Sequence, residues 1–129
     1  MKKYIQLNIE KTIHSAHFIP NHKGKCKNFH GHSWKIQMSI SGLYEPKQGM
    51  LVDFGDIGDL VRSFDHVTIN DRIKFPSAEN MSRFFALKIL RMNRNIAEVT
   101  VTIWESDDSS ATSVAVNSII TYKEKQHGI

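Results

Sequence analysis

The stretch from Trp34 to Ile40 alternates apolar and polar residues with a period of two, which is typical of a half-buried β-strand. Its apolar members are Trp34, Ile36, Met38 and Ile40. Successive side chains of a strand point to opposite faces, so the same parity continued backwards places His32 and His30 on the apolar side. The pattern therefore predicts a buried sheet face that ends in two imidazoles.

Five further segments show periodic patterns. Ile5, Leu7 and Ile9 alternate with polar residues as in a strand, and residues 98–105 and 112–122 predict two more strands, the last one through Val114, Val116 and Ile120. Residues 53–64 and the stretch that begins at Ser77 have apolar residues at helical spacing, and Ser77 is suited to be an N-cap. The order ββααββ predicts an α+β fold in which two helices cover one face of an antiparallel sheet.

Length and composition favour one domain over residues 1–129, since 40% of the 129 residues are hydrophobic. One cysteine makes no internal disulfide, and the N-terminal segment has no apolar run typical of a signal peptide or membrane helix, so a cytoplasmic protein is expected. The net charge of +4 comes from scattered Lys and Arg, which is not typical of a nucleic-acid-binding surface. It suits an anionic small molecule equally well.

His30 and His32 project in parallel with only Gly31 between them, so both imidazoles can reach one tetrahedral ion. His17, at the end of the first strand, could supply a third nitrogen. Three protein ligands with one open position are typical of a catalytic zinc site. A hydrogen-bonded core pair or solvated loop histidines are the alternatives.

Three other features carry open interpretations. Cys26 could be a fourth ligand, a base or nucleophile, or a buried apolar thiol. Asp65 and His66 form a possible acid/base pair, or neighbours by chance. Glu105 shares its parity with Val99, Val101 and Ile103, so it requires a partner on the buried side: a structural ion pair, or a ligand with paired N–H donors.

The segments "SAHFIP", "CKNFHGHSW", "LVDF", "FDHVTIND", "PSAEN" and "TIWES", in this order, resemble the 6-pyruvoyl tetrahydropterin synthase superfamily. The resemblance spans about Tyr4 to Tyr122, and the three-residue gap between Cys26 and His30 is similar to its 6-carboxy-5,6,7,8-tetrahydropterin synthase branch. It implies the tunnelling fold. It also implies a homo-oligomer, in which sheets join edge to edge into barrels, trimers stack into hexamers, and active sites lie at subunit interfaces.

The resemblance further implies roles for individual residues. The implied ligands of Zn²⁺ are His17, His30 and His32; the implied catalytic residues are Cys26, Asp65 and His66; the implied pterin-binding residues are Glu105, Ser77, Ala78 and Glu79. Ser77 stands where the family usually has Thr. His14 and His22 have no counterpart and are interpreted as non-ligands, while Lys23, Lys25 and Lys27 are candidates for binding a triphosphate or simply a solvated loop face.

The implied reaction converts 7,8-dihydroneopterin triphosphate to 6-carboxytetrahydropterin, with loss of acetaldehyde and triphosphate, toward queuosine and related deazapurines. Neither a membrane nor a nucleic acid is an expected partner. Three alternatives remain: a 6-pyruvoyl tetrahydropterin synthase, a non-catalytic zinc- or pterin-binding domain, and a basic nucleic-acid module.

Overall fold

The computed structural model describes residues 1–120, and within them the predicted order ββααββ is confirmed. The elements are β1 (Lys3–His17), β2 (His30–Tyr44), α1 (Phe54–Arg62), α2 (Ala78–Leu90), β3 (Ile96–Ser106) and β4 (Ser109–Val116). Two short 3₁₀ turns lie at Lys25–Lys27 and Ile69–Asp71. The end of the predicted domain and of the predicted fourth strand, residues 121–129, lies outside the described residues.

The four strands form one antiparallel sheet in the order β1-β2-β3-β4. β1 and β2 pair over their whole length, from Lys3 opposite Tyr44 to His17 opposite His30. The latter pair brings two of the predicted metal ligands to the same end of the sheet.

One face of the sheet and both helices share a single hydrophobic core. The predicted face of β2 is fully buried, as are Val99, Val101 and Ile103 of β3. From α2, Met81, Phe85 and Ile89 complete the core, and Ser77 caps the helix by accepting a hydrogen bond from the Asn80 N–H. Among residues 1–120, no helix combines the length and apolar character that a membrane crossing requires.

The predicted fourth strand is confirmed through Val114 and Val116, but its predicted end is wrong. β4 runs from Ser109 to Val116, so Ile120 lies beyond it. Val114 and Val116 are exposed while Ala115 faces the core, where its small side chain leaves room for α2. The helix predicted within residues 53–64 is α1; Asp53 caps it, its buried stripe begins at Ile57, and Phe54 is 56% exposed.

Gly42 lies where β2 leaves its regular register with β3. A Cβ atom built on Gly42 would lie 2.3 Å from the backbone oxygen of Asn95. The turn before β3 can therefore approach β2 closely only because residue 42 has no side chain.

We expect Gly42→Ala to lower the free energy of unfolding by about 1–3 kcal/mol, because the new methyl group would push on backbone atoms. Gly31→Ala is the matched control on the same strand, since its added Cβ would come no nearer than 4.0 Å to another chain atom. Urea unfolding of both metal-free variants measures the difference. Equal destabilisation by the two substitutions would contradict this explanation.

Candidate metal centre and its surroundings

Four side chains converge at one end of the sheet: His17 from β1, His30 and His32 from β2, and Glu105 from β3. One ligand atom of each lies within 4.8 Å of the corresponding atom of every other. The structure thus brings together the three histidines that the sequence predicted as metal ligands, and it adds a carboxylate.

The hydrogen bonds of two imidazoles define which nitrogen carries the proton. Nδ1 of His17 lies 2.6 Å from the carbonyl oxygen of Pro76, and Nδ1 of His30 lies 2.6 Å from that of Asn28. A carbonyl oxygen can only accept a hydrogen bond, so each Nδ1 carries a proton, and in the neutral form of each ring Nε2 presents a lone pair. The two Nε2 atoms face each other at 3.0 Å, an arrangement that a cation between them would stabilise.

His32 lacks a hydrogen-bond partner for its buried Nε2 atom. The Oε1 atom of Glu105 is only 3.0 Å away, but the approach does not have hydrogen-bond geometry. A buried polar nitrogen without a partner is costly, and it requires an explanation such as a bound ion. The orphaned nitrogen points toward the same group as the other three ligand atoms.

Burial favours the neutral form of His17 and of His32. It lowers the pKa of His17 below the ordinary value of 6.5; the neighbouring His30 and His32 lower it further, against the opposing effects of the Pro76 hydrogen bond and Glu105. Burial also lowers the pKa of His32, against the opposing effect of the Glu105 carboxylate. Neutral imidazole is the form that binds a metal ion.

Trp34 forms the wall behind the histidines. Its ring meets those of His17 and His32 edge to face, at centroid distances of 4.7 and 4.9 Å, and its indole N–H donates to the carbonyl oxygen of Ser15. The rings are therefore held by packing and by backbone carbonyls, as metal-binding imidazoles usually are. Three imidazoles and a carboxylate are a donor set that suits zinc, so these residues fit the predicted ion.

Glu105 owes its position to a break in the β3–β4 ladder. The register shifts between Trp104 and Ser106, so Glu105 lies in a bulge, and its side chain is 33% exposed. Sequence reasoning placed this carboxylate on the buried face but not among the histidines. One signal in the sequence could have found it. Glu105 shares its parity with Ile103, and Ile103 pairs with Ile36. Ile36 lies on the same face of β2 as His32, so Glu105 is expected on the face that carries the histidines.

Cys26 lies outside this group of four. It is a half-buried free thiol in the 3₁₀ turn Lys25–Lys27, within the segment that joins β1 to β2. The backbone N–H of Ile19 donates to the Cys26 carbonyl oxygen at 2.5 Å, which ties this turn to the end of β1. Cys26 shortly precedes His30 in the sequence, but its thiol is not among the candidate metal ligands.

Asp65 and His66 form the predicted pair, with Oδ2 of Asp65 3.0 Å from Nδ1 of His66. Asp65 also accepts a hydrogen bond from the His14 backbone N–H at 2.8 Å; that bond is the main cause of the lowered pKa of this carboxyl, and the bond with His66 contributes. His66 adopts a left-handed backbone with φ of 56°, and its side chain is 77% exposed. The pair is not part of the metal group.

His66 and His32 both line an open groove of about 620 Å³ beside β1 and β2. Its other lining residues are His14, Ser15, Ala16, Gly31, Ser33, Val67 and Thr68. This groove connects the edge of the metal group with the Asp65–His66 pair, and it is broad enough to admit a small molecule.

The remaining predicted residues lie as follows. Ser77 caps α2, Ala78 is buried in the core and Glu79 is exposed in the first turn of α2. The structure assigns none of these three side chains a place in the metal group; the link between this segment and the group is the Pro76 carbonyl. His14 bonds Ser33, His22 accepts from the Gly24 N–H, and Lys23, Lys25 and Lys27 are exposed.

The lowered pKa of His17 predicts that the metal-free protein loses stability in mild acid. Below about pH 6.5 the unfolded chain binds more protons than the native state, so the free energy of unfolding falls as pH decreases. We expect urea unfolding to give a lower value at about pH 5.5 than at about pH 7.5. His17→Asn should make this dependence shallower, whereas His22→Asn, in an exposed loop, should leave it unchanged; a flat profile for the unsubstituted chain would contradict the prediction.

Comparisons with known proteins agree with this architecture. A protein from Archaeoglobus fulgidus, provisionally named 6-carboxy-5,6,7,8-tetrahydropterin synthase, is 32% identical over 115 residues, which cover 86% of this chain and 96% of the relative. The 6-carboxy-5,6,7,8-tetrahydropterin synthase of Haemophilus influenzae is 37% identical over 75 residues, 52% of this chain and 53% of that protein. The structure of Caenorhabditis elegans 6-pyruvoyl tetrahydropterin synthase matches 92% of this chain and 99% of its own, with a TM-score of 0.66 at 18% identity, which establishes likeness of fold.

The family model for 6-pyruvoyl tetrahydropterin synthase matches residues 6–115, a range that contains all four members of the metal group. The chain therefore belongs to the 6-pyruvoyl tetrahydropterin synthase family, in the branch of relatives named 6-carboxy-5,6,7,8-tetrahydropterin synthase.

Proposed function

We propose that this protein is a zinc-dependent lyase, a 6-carboxy-5,6,7,8-tetrahydropterin synthase. Its substrates are 7,8-dihydroneopterin triphosphate and one water, and its products are 6-carboxytetrahydropterin, acetaldehyde and triphosphate. The observation that carries the proposal is the convergence of three imidazoles, two of them held through Nδ1, with the Glu105 carboxylate at one end of the sheet. The names of the relatives support the choice of reaction.

His17, His30 and His32 would hold Zn²⁺, which supplies Lewis-acid stabilisation of negative charge developing on substrate oxygens. The residues of the chain do the rest. Cys26 and His66 exchange protons with the side-chain carbon of the pterin from opposite sides, and Asp65 orients the His66 ring through its Nδ1 atom. Glu105 accepts hydrogen bonds from the amino-pyrimidine edge of the pterin, a planar donor array that suits a carboxylate.

Ser77, Ala78 and Glu79 would line the pterin pocket. The hydrogen bond from His17 to the Pro76 carbonyl holds the start of this segment against the metal group, which supports such a role for its backbone. The Ser77 hydroxyl oxygen accepts a hydrogen bond from the Asn80 N–H as the cap of α2, so we expect its main role to be structural.

The catalytic pair would act in a site shared between subunits. Asp65 and His66 are tethered to β1 through His14, which faces away from the core, whereas His17 and His30 lie on the core face. β1 and β4 are the two edges of the sheet, and pairing of these edges between copies would build the trimeric barrel, two of which stack into a hexamer. In that assembly His66 would serve the metal group of a neighbour.

Incubation of the zinc-loaded protein with 7,8-dihydroneopterin triphosphate, followed by mass analysis, tests the reaction. We expect 6-carboxytetrahydropterin together with acetaldehyde. Cys26→Ala should retain zinc and reduce turnover by roughly 10²-fold or more, because it removes a proton-transfer group and not a ligand. His22→Ala is the control, since His22 lies in the exposed loop and its side chain bonds only the Gly24 backbone N–H among the described residues.

Other products would contradict this assignment in distinct ways. A 6-pyruvoyl product without acetaldehyde would mean that the side-chain carbons are retained, as in a 6-pyruvoyl tetrahydropterin synthase. Binding of the pterin with no product at all would mean a non-catalytic domain. Loss of zinc from Cys26→Ala would make Cys26 a ligand.

Mixing of two inactive variants tests the shared site. Cys26→Ala and His66→Ala subunits, unfolded and refolded together, should recover roughly a quarter of the original activity, because random pairing rebuilds that share of complete sites. The same procedure applied to each variant alone gives the baseline. If the mixture stays at this baseline while native mass spectrometry shows oligomers that contain both variants, the two residues act within one chain.

A further inference from the structure

The Glu105 carboxylate lies close to two of the histidine nitrogens, which binding of a pterin alone does not require. Its Oε1 atom is 3.0 Å from Nε2 of His32 and 3.7 Å from Nε2 of His17. Neither contact is a hydrogen bond, and the His17 Nε2 atom presents a lone pair because its proton is on Nδ1. Oε1 therefore faces one nitrogen lone pair and one nitrogen without a hydrogen-bond partner, an arrangement that a cation between the three atoms would stabilise.

We propose that Glu105 is the fourth ligand of the metal centre in the substrate-free protein, and that its carboxylate leaves the metal when substrate arrives. Three imidazoles and one carboxylate complete a tetrahedral set, in which the negative charge of Glu105 offsets half of the charge of a divalent ion. The second part of this inference, the departure of Glu105, rests on the proposed function.

The four ligands differ in their freedom to move. His17 is buried, with Nδ1 held by the Pro76 carbonyl, and His30 is held by the Asn28 carbonyl. The side chain of Glu105 is 33% exposed, whereas those of His17 and His32 are 2% and 23% exposed. It also lies in the bulge next to the β3–β4 turn, where the ladder is interrupted. Glu105 is therefore the ligand that can be exchanged at the lowest cost.

This exchange would give one carboxylate two successive partners. In the empty site Glu105 would close the metal centre and limit access of water to the ion. In the occupied site it would turn to the paired N–H donors of the pterin, while the freed position becomes available to the substrate side chain. Occupation of the pterin pocket would thereby free one coordination position of the ion, so that the ion could act on the substrate only when the substrate is bound.

Metal affinity tests the first part without any turnover. We expect Glu105→Gln to weaken Zn²⁺ binding about 10- to 100-fold in competition with a chelator, since loss of even a supporting group costs that much. Glu98→Gln is the matched control, on the same strand but on the opposite face, and should bind Zn²⁺ as the original chain does. Glu105→Ala serves as a second variant, and circular dichroism of the metal-free proteins checks that each is folded.

The absorption spectrum of the Co²⁺-loaded protein tests the exchange. The d–d bands of Glu105→Gln should differ from those of the original chain before any pterin is added. Addition of unphosphorylated 7,8-dihydroneopterin should then change the bands of the original chain. Unchanged Zn²⁺ affinity in both Glu105 variants, or identical Co²⁺ spectra for the original chain and Glu105→Gln, would overturn the inference.

These outcomes are separable from a failure of the proposed function. If both Glu105 variants keep full metal affinity but lose pterin binding, Glu105 is a pterin anchor alone, and the synthase assignment stands. If Zn²⁺ affinity depends on Glu105 but no product forms from the triphosphate, the fourth-ligand role stands and the synthase assignment falls.

Discussion

The antiparallel pairing of β1 with β2 is the constraint on which the rest of the molecule depends. Its register places His17 directly opposite His30, and the two-residue repeat of β2 then adds His32 on the same face. A shift by one residue would turn both β2 histidines to the open face and expose the apolar residues that follow them. The hydrophobic core therefore holds the candidate metal ligands in register, so the geometry of the site depends on the packing of the core.

Two loop carbonyls orient the imidazoles that the strands bring together. Strand geometry brings three imidazoles together, but the Asn28 and Pro76 carbonyls decide which nitrogen of His30 and His17 faces inward. Pro76 immediately precedes the cap of α2, so the packing of that helix and the tautomer of a metal-binding histidine are linked. The cost of burying these polar rings is offset by such bonds and by the Trp34 wall.

The Asp65–His66 pair illustrates a different kind of support. Asp65 lies on the segment after α1, and the His14 backbone fixes both residues of the pair, since it donates to the Asp65 carboxylate and accepts from the His66 N–H. This tether holds His66 in a left-handed backbone conformation, which residues other than glycine rarely adopt. Such a conformation costs free energy, and the surrounding contacts must offset that cost. The His66 ring points outward and lines the groove, and its side chain is 77% exposed.

The sequence by itself determined the element order, the buried face of β2 with its two histidines, and the place of His17 at the end of the first strand, because strand parity and helical spacing are local properties. Tertiary structure alone decided the rest. Val114 and Val116 face outward because α2 packs against small alanines, a matter of which surfaces meet and not of hydrophobicity along the chain. Glu105 joins the histidines because a bulge and the β2–β3 register carry it there, and the carbonyls that lock His17 and His30 are backbone atoms with no mark in the sequence. Contacts between residues far apart in the chain depend on how whole elements pack, and local patterns do not encode that packing.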